Sequence, residues 1–170
     1  MGIVVHIRSG GSARDVNELV RVNGEVFEPE YALSPAFAGD MAMQLAELRR
    51  SGWPGERDGL WIAEADGQVV GGVTLRDLGG GLARLGHLAL QPEARGTGAG
   101  RRLVETVLEA ARAAGYERIE LMTFSGLTDA REIYRRAGFE ITSTEHTVRW
   151  GREMDWERWE LRLREPGAAF

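Results

Sequence analysis

The chain has 170 residues, room for one core-bearing domain, and its 43% hydrophobic and 28% charged residues are the balance of a folded soluble protein. With no cysteine and with arginine as all 21 of its basic residues, it has no disulfides, no thiolate metal sites, no cysteine nucleophile and no lysine Schiff base. A net charge of −5 speaks against a nucleic-acid surface, the three histidines (His6, His87, His146) lack metal-ligand spacing, and no apolar run suits a membrane span or signal peptide, so a single cytoplasmic domain over residues 1–170 is expected.

The β-branched run at residues 3–8 predicts a first strand. Ser12 followed by Asp15 has the pattern of a capping box, opening a helix to about Phe27 with Val16, Leu19, Val20 and Val26 along one stripe. Pro29 and then Ser34-Pro35 break the chain; Ser34 is placed to cap a second helix, with Pro35 at its first position, running to about Arg50. Residues 60–65 and 68–76 read as strands joined by Asp66-Gly67, the pair that a two-residue type I′ hairpin needs. A looser turn over residues 77–81 leads into Leu82–Leu90 and completes an antiparallel meander. Leu103, Val104, Val107, Leu108 and Ala111 mark one face of a helix over residues 99–114, closed by Gly115. Residues 118–123 form a strand and Thr128–Ala137 a short helix closed by Gly138. The last two strands, residues 139–146 and 153–163, flank Arg149-Trp150-Gly151, and residues 165–170 read as a frayed tail. The order β-α-α-β-β-β-α-β-α-β-β implies an α+β fold, a mixed and mostly antiparallel sheet with helices on both faces.

The most informative segment is Arg95-Gly96-Thr97-Gly98-Ala99-Gly100-Arg101-Arg102, which follows a strand and opens a helix. A helix N-terminus leaves about four backbone N–H groups unpaired at a positive dipole end, and glycines let a diphosphate approach the backbone closely. The P-loop pattern fails for want of a lysine. The dinucleotide pattern G-x-G-x-x-G fails because Arg101 stands where the third glycine belongs.

The same segment fits (Gln/Arg)-x-x-Gly-x-(Gly/Ala), and so resembles the acyl-CoA pyrophosphate motif of the GNAT superfamily of N-acetyltransferases. The lead-in Leu88-Ala89-Leu90-Gln91-Pro92-Glu93-Ala94-Arg95-Gly96 and the downstream Ile133-Tyr134-Arg135-Arg136-Ala137-Gly138-Phe139 are similar to that family's signatures. Residues 82–140 and the closing strands look most like acetyltransferase domains fused to winged-helix regulators. The resemblance implies acetyl-CoA as co-substrate, no metal, and direct transfer of acetyl to an amine. It implies that the strands 82–90 and 118–123 splay apart, with Leu88, Ala89 and Leu90 beside the pantetheine arm. Arg95, Gly96, Thr97, Gly98, Ala99, Gly100 and Arg101 would hold the pyrophosphate, and a backbone N–H near Leu90 would face the thioester oxygen. Tyr134 matches the family's general acid for the leaving thiolate, a phenol that stays protonated at neutral pH. Leu127 stands where the family often has an asparagine, with Thr128 or Ser125 as stand-ins.

The base is left open among His87, Glu64, Glu25, Glu28 and water; strand alternation turns His87 away from the site. Three carboxylates and two aromatics in Glu25-Val26-Phe27-Glu28-Pro29-Glu30-Tyr31 offer a rim for a cationic amine. Polyamines, amino acids, aminoglycoside-like compounds and peptide N-termini are all open acceptors. Family members are frequently homodimers, and Trp150, Trp156 and Trp159 serve either an interface or the core. The alternative of another class is a non-catalytic acyl-CoA-binding or sensory module, which would bind the coenzyme without turnover.

Overall fold

A computed structural model of the protein describes residues 2–164; the expected frayed tail lies outside them. The elements are β1 (His6–Gly10), α1 (Ala13–Glu30), α2 (Ala36–Arg50), β2 (Gly59–Ala65), β3 (Gln68–Gly79), β4 (Leu82–Leu90), a 3₁₀ turn (Pro92–Ala94), α3 (Ala99–Ala113), β5 (Arg118–Phe124), α4 (Thr128–Ala137), β6 (Glu140–Arg149) and β7 (Arg152–Arg162). They form one seven-stranded sheet of order β1-β2-β3-β4-β5-β7-β6, antiparallel except where β4 and β5 run parallel. The expected element order and fold class are those observed.

The local chemistry accounts for most boundaries. The capping box closes as expected: Asp15 N–H donates to Ser12 Oγ at 3.0 Å, and the Ser12 N–H points back at the Asp15 carboxylate. Asp66 and Gly67 both have positive φ, 51° and 75°, the pair of angles that a type I′ turn requires. Several boundaries differ from expectation: β3 runs past residue 76 to Gly79 and β6 past residue 146 to Arg149, because pairing persists to Gly79 with Leu82 and Arg149 with Arg152. The first strand begins at His6 instead of residue 3 and runs on to Gly10, because residues 6–10 are the ones that pair with Leu60–Glu64. The first helix passes through Pro29 to Glu30; the proline removes one N–H near the helix end, and Tyr31 N–H still closes on Phe27 O at 3.1 Å. Ser34 makes no side-chain cap: Pro35 is the N-cap of α2, and Ser34 instead donates its backbone N–H to Trp150 O.

Two apolar layers sandwich the sheet. Leu19 of α1 and Leu45 of α2 bury fully against Leu60 and Ile62 on one face. On the other face α3 and α4 cover Leu85, Ile119, Leu121 and Trp159 with Leu103, Val107 and Tyr134. Trp159 therefore belongs to the core.

Candidate active site

The parallel seam between β4 and β5 lasts only from Leu82–Leu85 against Arg118–Leu121. Beyond it, β4 stays with β3 as far as Leu90, and β5 stays with β7 as far as Phe124, so the sheet splits into a V. Gln91 N–H donates to Val70 O at 2.7 Å. In an antiparallel ladder the bonded pairs alternate, so Leu90 turns its own N–H and C=O away from β3, toward the split.

The glycine segment sits at the head of this V. Gly96 and Gly98 have φ of 76° and 82°, the left-handed region that glycine enters without a Cβ clash. Among the described residues no group accepts from the amides of Gly96, Gly98, Gly100 or Arg101, so four N–H donors stand open at the start of α3. A groove of about 680 Å³ runs past them, and nine of the ten expected cofactor residues line it: Leu88, Ala89, Leu90, Arg95, Gly96, Gly98, Ala99, Gly100 and Arg101. The tenth, Thr97, does not. Its hydroxyl donates to Ala94 O at 2.6 Å and receives the Ala99 N–H at 3.3 Å, which braces the loop from behind.

Two arginines of the glycine segment are committed elsewhere. Arg102 donates to Val5 O at 3.1 Å, and Arg95 forms a two-pronged pair with Glu30 at 2.8 and 2.5 Å. Arg101 remains at the groove, joined there by Arg112 and Arg136, neither of which was expected to meet the coenzyme. Asp129, not Thr128 or Ser125, lines the groove beside Leu127.

A second cavity, of about 410 Å³, lies on the α1–α2 side and shares Phe27, Leu88 and Leu127 with the groove. Tyr134 lines it. The tyrosine ring packs on Phe139 and Trp159, while its hydroxyl has no hydrogen-bond partner among the described residues. Burial pushes the phenol well above its ordinary pKa, so it is a proton donor at neutral pH.

His87 also lines this cavity, contrary to the expectation from strand alternation. The reason is a bulge: β4 pairs Gly86 with Thr74 and Ala89 with Gly72, so His87 and Leu88 together face Val73, and His87 takes φ 57°. The extra residue resets the alternation. Its ring is held at both nitrogens, Nδ1 at 2.9 Å from Thr74 Oγ1 and Nε2 at 3.1 Å from Gln44 Oε1. Asn23 of α1 fixes the bulge by donating to His87 O at 3.2 Å. Burial, aided by the charges of Arg76 and Arg84, lowers the imidazole to about 4, so the ring is neutral at physiological pH. Asn23, Gln44 and Thr74 carry no sequence motif; only the fold brings them here.

The remaining base candidates are elsewhere. Glu64 pairs with Arg8 at 2.7 Å, Glu25 with Arg21 at 2.9 Å, and Glu28 accepts the Ala38 N–H at 3.1 Å. Glu30 is taken by Arg95, and none of the three carboxylates of the expected rim lines the cavity, although its Phe27 does. Trp150 and Trp156 form cavity wall. Among the described residues no cluster of three or more histidine, aspartate or glutamate side chains is arranged to hold a metal, and no helix is long and apolar enough to cross a membrane.

A forked sheet with a glycine-lined helix start in its opening defines an acyl-CoA-type transferase fold, and comparison with known proteins agrees. The acetyltransferase (GNAT) family profile matches residues 25–139, so the chain belongs to that family. It is 35% identical over 103 residues to human N-acetyltransferase 8B, covering 56% of this chain and 44% of that protein. It is 41% identical over 81 residues to the IAA acetyltransferase of Azospirillum brasilense, covering 46% and 52%. The chain thus matches about half the length of these relatives. Among solved structures, an N-acetyltransferase from Staphylococcus aureus Mu50 superposes with a TM-score of 0.75 at 17% identity, over 95% of this chain and 99% of that one. A Salmonella typhimurium protein solved with its cofactor acetyl-CoA superposes with a TM-score of 0.74 at 18% identity, over 98% of both chains. At such identities the likeness is one of fold.

Proposed function

We propose that the protein is a cytoplasmic, single-domain N-acetyltransferase that moves acetyl from acetyl-CoA directly to a primary amine of a small molecule or peptide. The observation that carries this reading is the set of four open amides at the head of the split, in a groove that meets an acceptor-sized cavity at Leu88. The cradle fits a diphosphate: left-handed glycines clear the approach, and the α3 dipole and Arg101 favour negative charge.

Acetyl-CoA supplies an activated acyl group on a thiol leaving group. The chain's residues do the rest. Leu88 and Leu90 hold the pantetheine arm along the free edge of β4, and the Leu90 N–H donates to the thioester oxygen as negative charge grows there. Tyr134 gives its phenolic proton to the departing sulfur. The proton that the amine nitrogen loses passes to water, and His87 stays neutral in the cavity wall. Gln44 Oε1 can only accept, so His87 Nε2 carries the N–H that meets it and Nδ1 carries the lone pair facing the Thr74 hydroxyl. This tautomer is assigned from the hydrogen-bond network. A neutral imidazole of pKa about 4 is too weak to strip an alkylammonium, so the amine reacts from its uncharged form.

The test is twofold. Acetyl-CoA raises the melting temperature, and an amine panel releases thiol in an acceptor-dependent manner. Absence of any thermal shift with a folded sample overturns the reading. A shift without turnover on any amine favours the sensory-module alternative.

A further inference from the structure

We infer that the acceptor is a small primary amine that also carries a carboxylate and a bulky apolar body, and that Arg149 selects it. The inference rests on the proposed N-acetyltransferase reading and narrows its substrate class.

The size and lining of the cavity set the first requirement. Its volume of about 410 Å³ is that of a small-ligand site, comfortably larger than one aromatic amino acid. Its walls carry a chain of edge-on rings: Phe27 to Phe37 at 5.6 Å, Phe37 to Trp150 at 5.0 Å, and Trp150 to Trp156 at 6.0 Å. Such walls reward an apolar or aromatic body and give a highly hydrated chain little to bond to.

The charges set the second requirement. Three charged side chains line the cavity: Asp40, Arg84 and Arg149. Arg84 is neutralised by the buried Glu120 at 2.6 Å, and Asp40 accepts the Trp150 indole N–H at 2.9 Å. Arg149 has no carboxylate partner among the described residues. Its guanidinium lies 4.6 Å above the Trp156 ring centre. A cation–π contact of this kind leaves the guanidinium N–H donors unspent, and a guanidinium can receive a carboxylate on two prongs.

The arginine is also presented by an anchored turn. Trp150 and Gly151, with φ of 51° and 77°, make the two-residue link between β6 and β7. Trp150 O accepts the Ser34 N–H at 2.8 Å, and Arg152 donates to Tyr31 O at 2.7 Å. The hairpin tip is thereby tied to the α1–α2 connection. Asp40 keeps its charge, since the Trp150 indole N–H is neutral, so a polycation would meet Arg149 with Asp40 alone to receive it, whereas an amine that carries a carboxylate gives Arg149 a partner. The electrostatics favour an amine that carries one carboxylate over a polycation.

The experiment compares phenylalanine and tryptophan with their carboxamides, and 5-aminopentanoate with pentylamine, by acetyl-CoA-dependent thiol release. The expected result is a kcat/KM about 10- to 100-fold higher for the best acid than for its uncharged counterpart, carried mainly by KM, as a charge-assisted pair supplies. In Arg149→Gln that preference falls to within about 2-fold of one. Equal turnover of acids and counterparts, or an unaltered preference in Arg149→Gln, overturns the inference and leaves the acetyltransferase reading standing. If no amine turns over, the same comparison is read from binding of N-acetylphenylalanine and N-acetylphenylalaninamide to protein saturated with CoA. Preferential binding of the acid that Arg149→Gln abolishes supports the inference, and equal or absent binding overturns it. Failure of acetyl-CoA itself to bind instead sinks the underlying reading.

Discussion

The Tyr134 ring lies 6.0 Å from Phe139 and 6.1 Å from Trp159, whereas its hydroxyl meets no partner among the described residues. The ring is core and the oxygen is chemistry, so Tyr134→Phe separates the two. Stability should change by less than about 1 kcal/mol, because no hydrogen bond is lost. Acetyl-CoA binding should persist while kcat falls about 100-fold, the range of one proton-transfer group. An unchanged kcat would place the acid elsewhere. His87 makes a prediction of a different kind. Its folded-state pKa is about 4 against 6.5 in the free chain, so between those values the unfolded state binds the extra proton. The stability it contributes is complete above about pH 6.5 and is lost as pH falls toward 4. Asp15, held below the usual carboxylate range by Arg8, acts only in more acid solution. Urea midpoints at about pH 4.5 and 6.5 should therefore differ more in the native protein than in His87→Gln. Equal differences would show that the imidazole is not held neutral by the fold.

At the scale of elements, the start of α3 is where glycine is demanded by geometry. Gly98 is its N-cap at φ 82°, and an added Cβ meets nothing nearer than Arg101 Nη2 at 3.8 Å. Gly98→Asp and Gly98→Asn both fit the space and both carry about 1 kcal/mol of left-handed strain. They differ in charge alone. The aspartate should abolish the acetyl-CoA thermal shift, and the asparagine should only reduce it; equal effects would deny that phosphate charge sits there. This segment was legible in the sequence because glycine spacing, a preceding strand and a following apolar stripe all agree. So were the Asp66-Gly67 hairpin and the Gly138 helix stop, each fixed by one backbone angle that few residues adopt. The His87 bulge was not legible: alternation assumes a ladder without insertions, and one left-handed residue reverses the face of every residue after it in the strand. Nor were the partners of Glu28 and Glu30, the one across a loop and the other 65 residues away, which reveal themselves only once α1, α2 and the glycine segment are packed. Thr97 fits the motif by position yet serves the loop, since spacing does not say which side of a turn a hydroxyl occupies.

On the scale of the molecule, the two halves of the sheet meet through four residue pairs, Leu82–Leu85 with Arg118–Leu121, and diverge beyond them. A ligand seated in the divergence touches β4, the head of α3 and the inner side of α4 together, because residues of all three line the groove. Binding to the folded state alone at about 100 times Kd adds roughly 2.7 kcal/mol, which for a chain of this size raises Tm by roughly 5–10 °C. A thermal shift alone does not locate the ligand; hydrogen exchange does. The amides of Gly96, Gly98, Gly100 and Arg101 lack acceptors in the protein and should exchange fast in its absence. Saturation with acetyl-CoA should slow all four, together with Leu90 at the free edge of β4, while Arg102, already bonded to Gly98 O, changes far less. If Tm rises and those four amides stay fast, the coenzyme is bound at some other place, and the roles given to Leu90 and Tyr134 fall with the cradle.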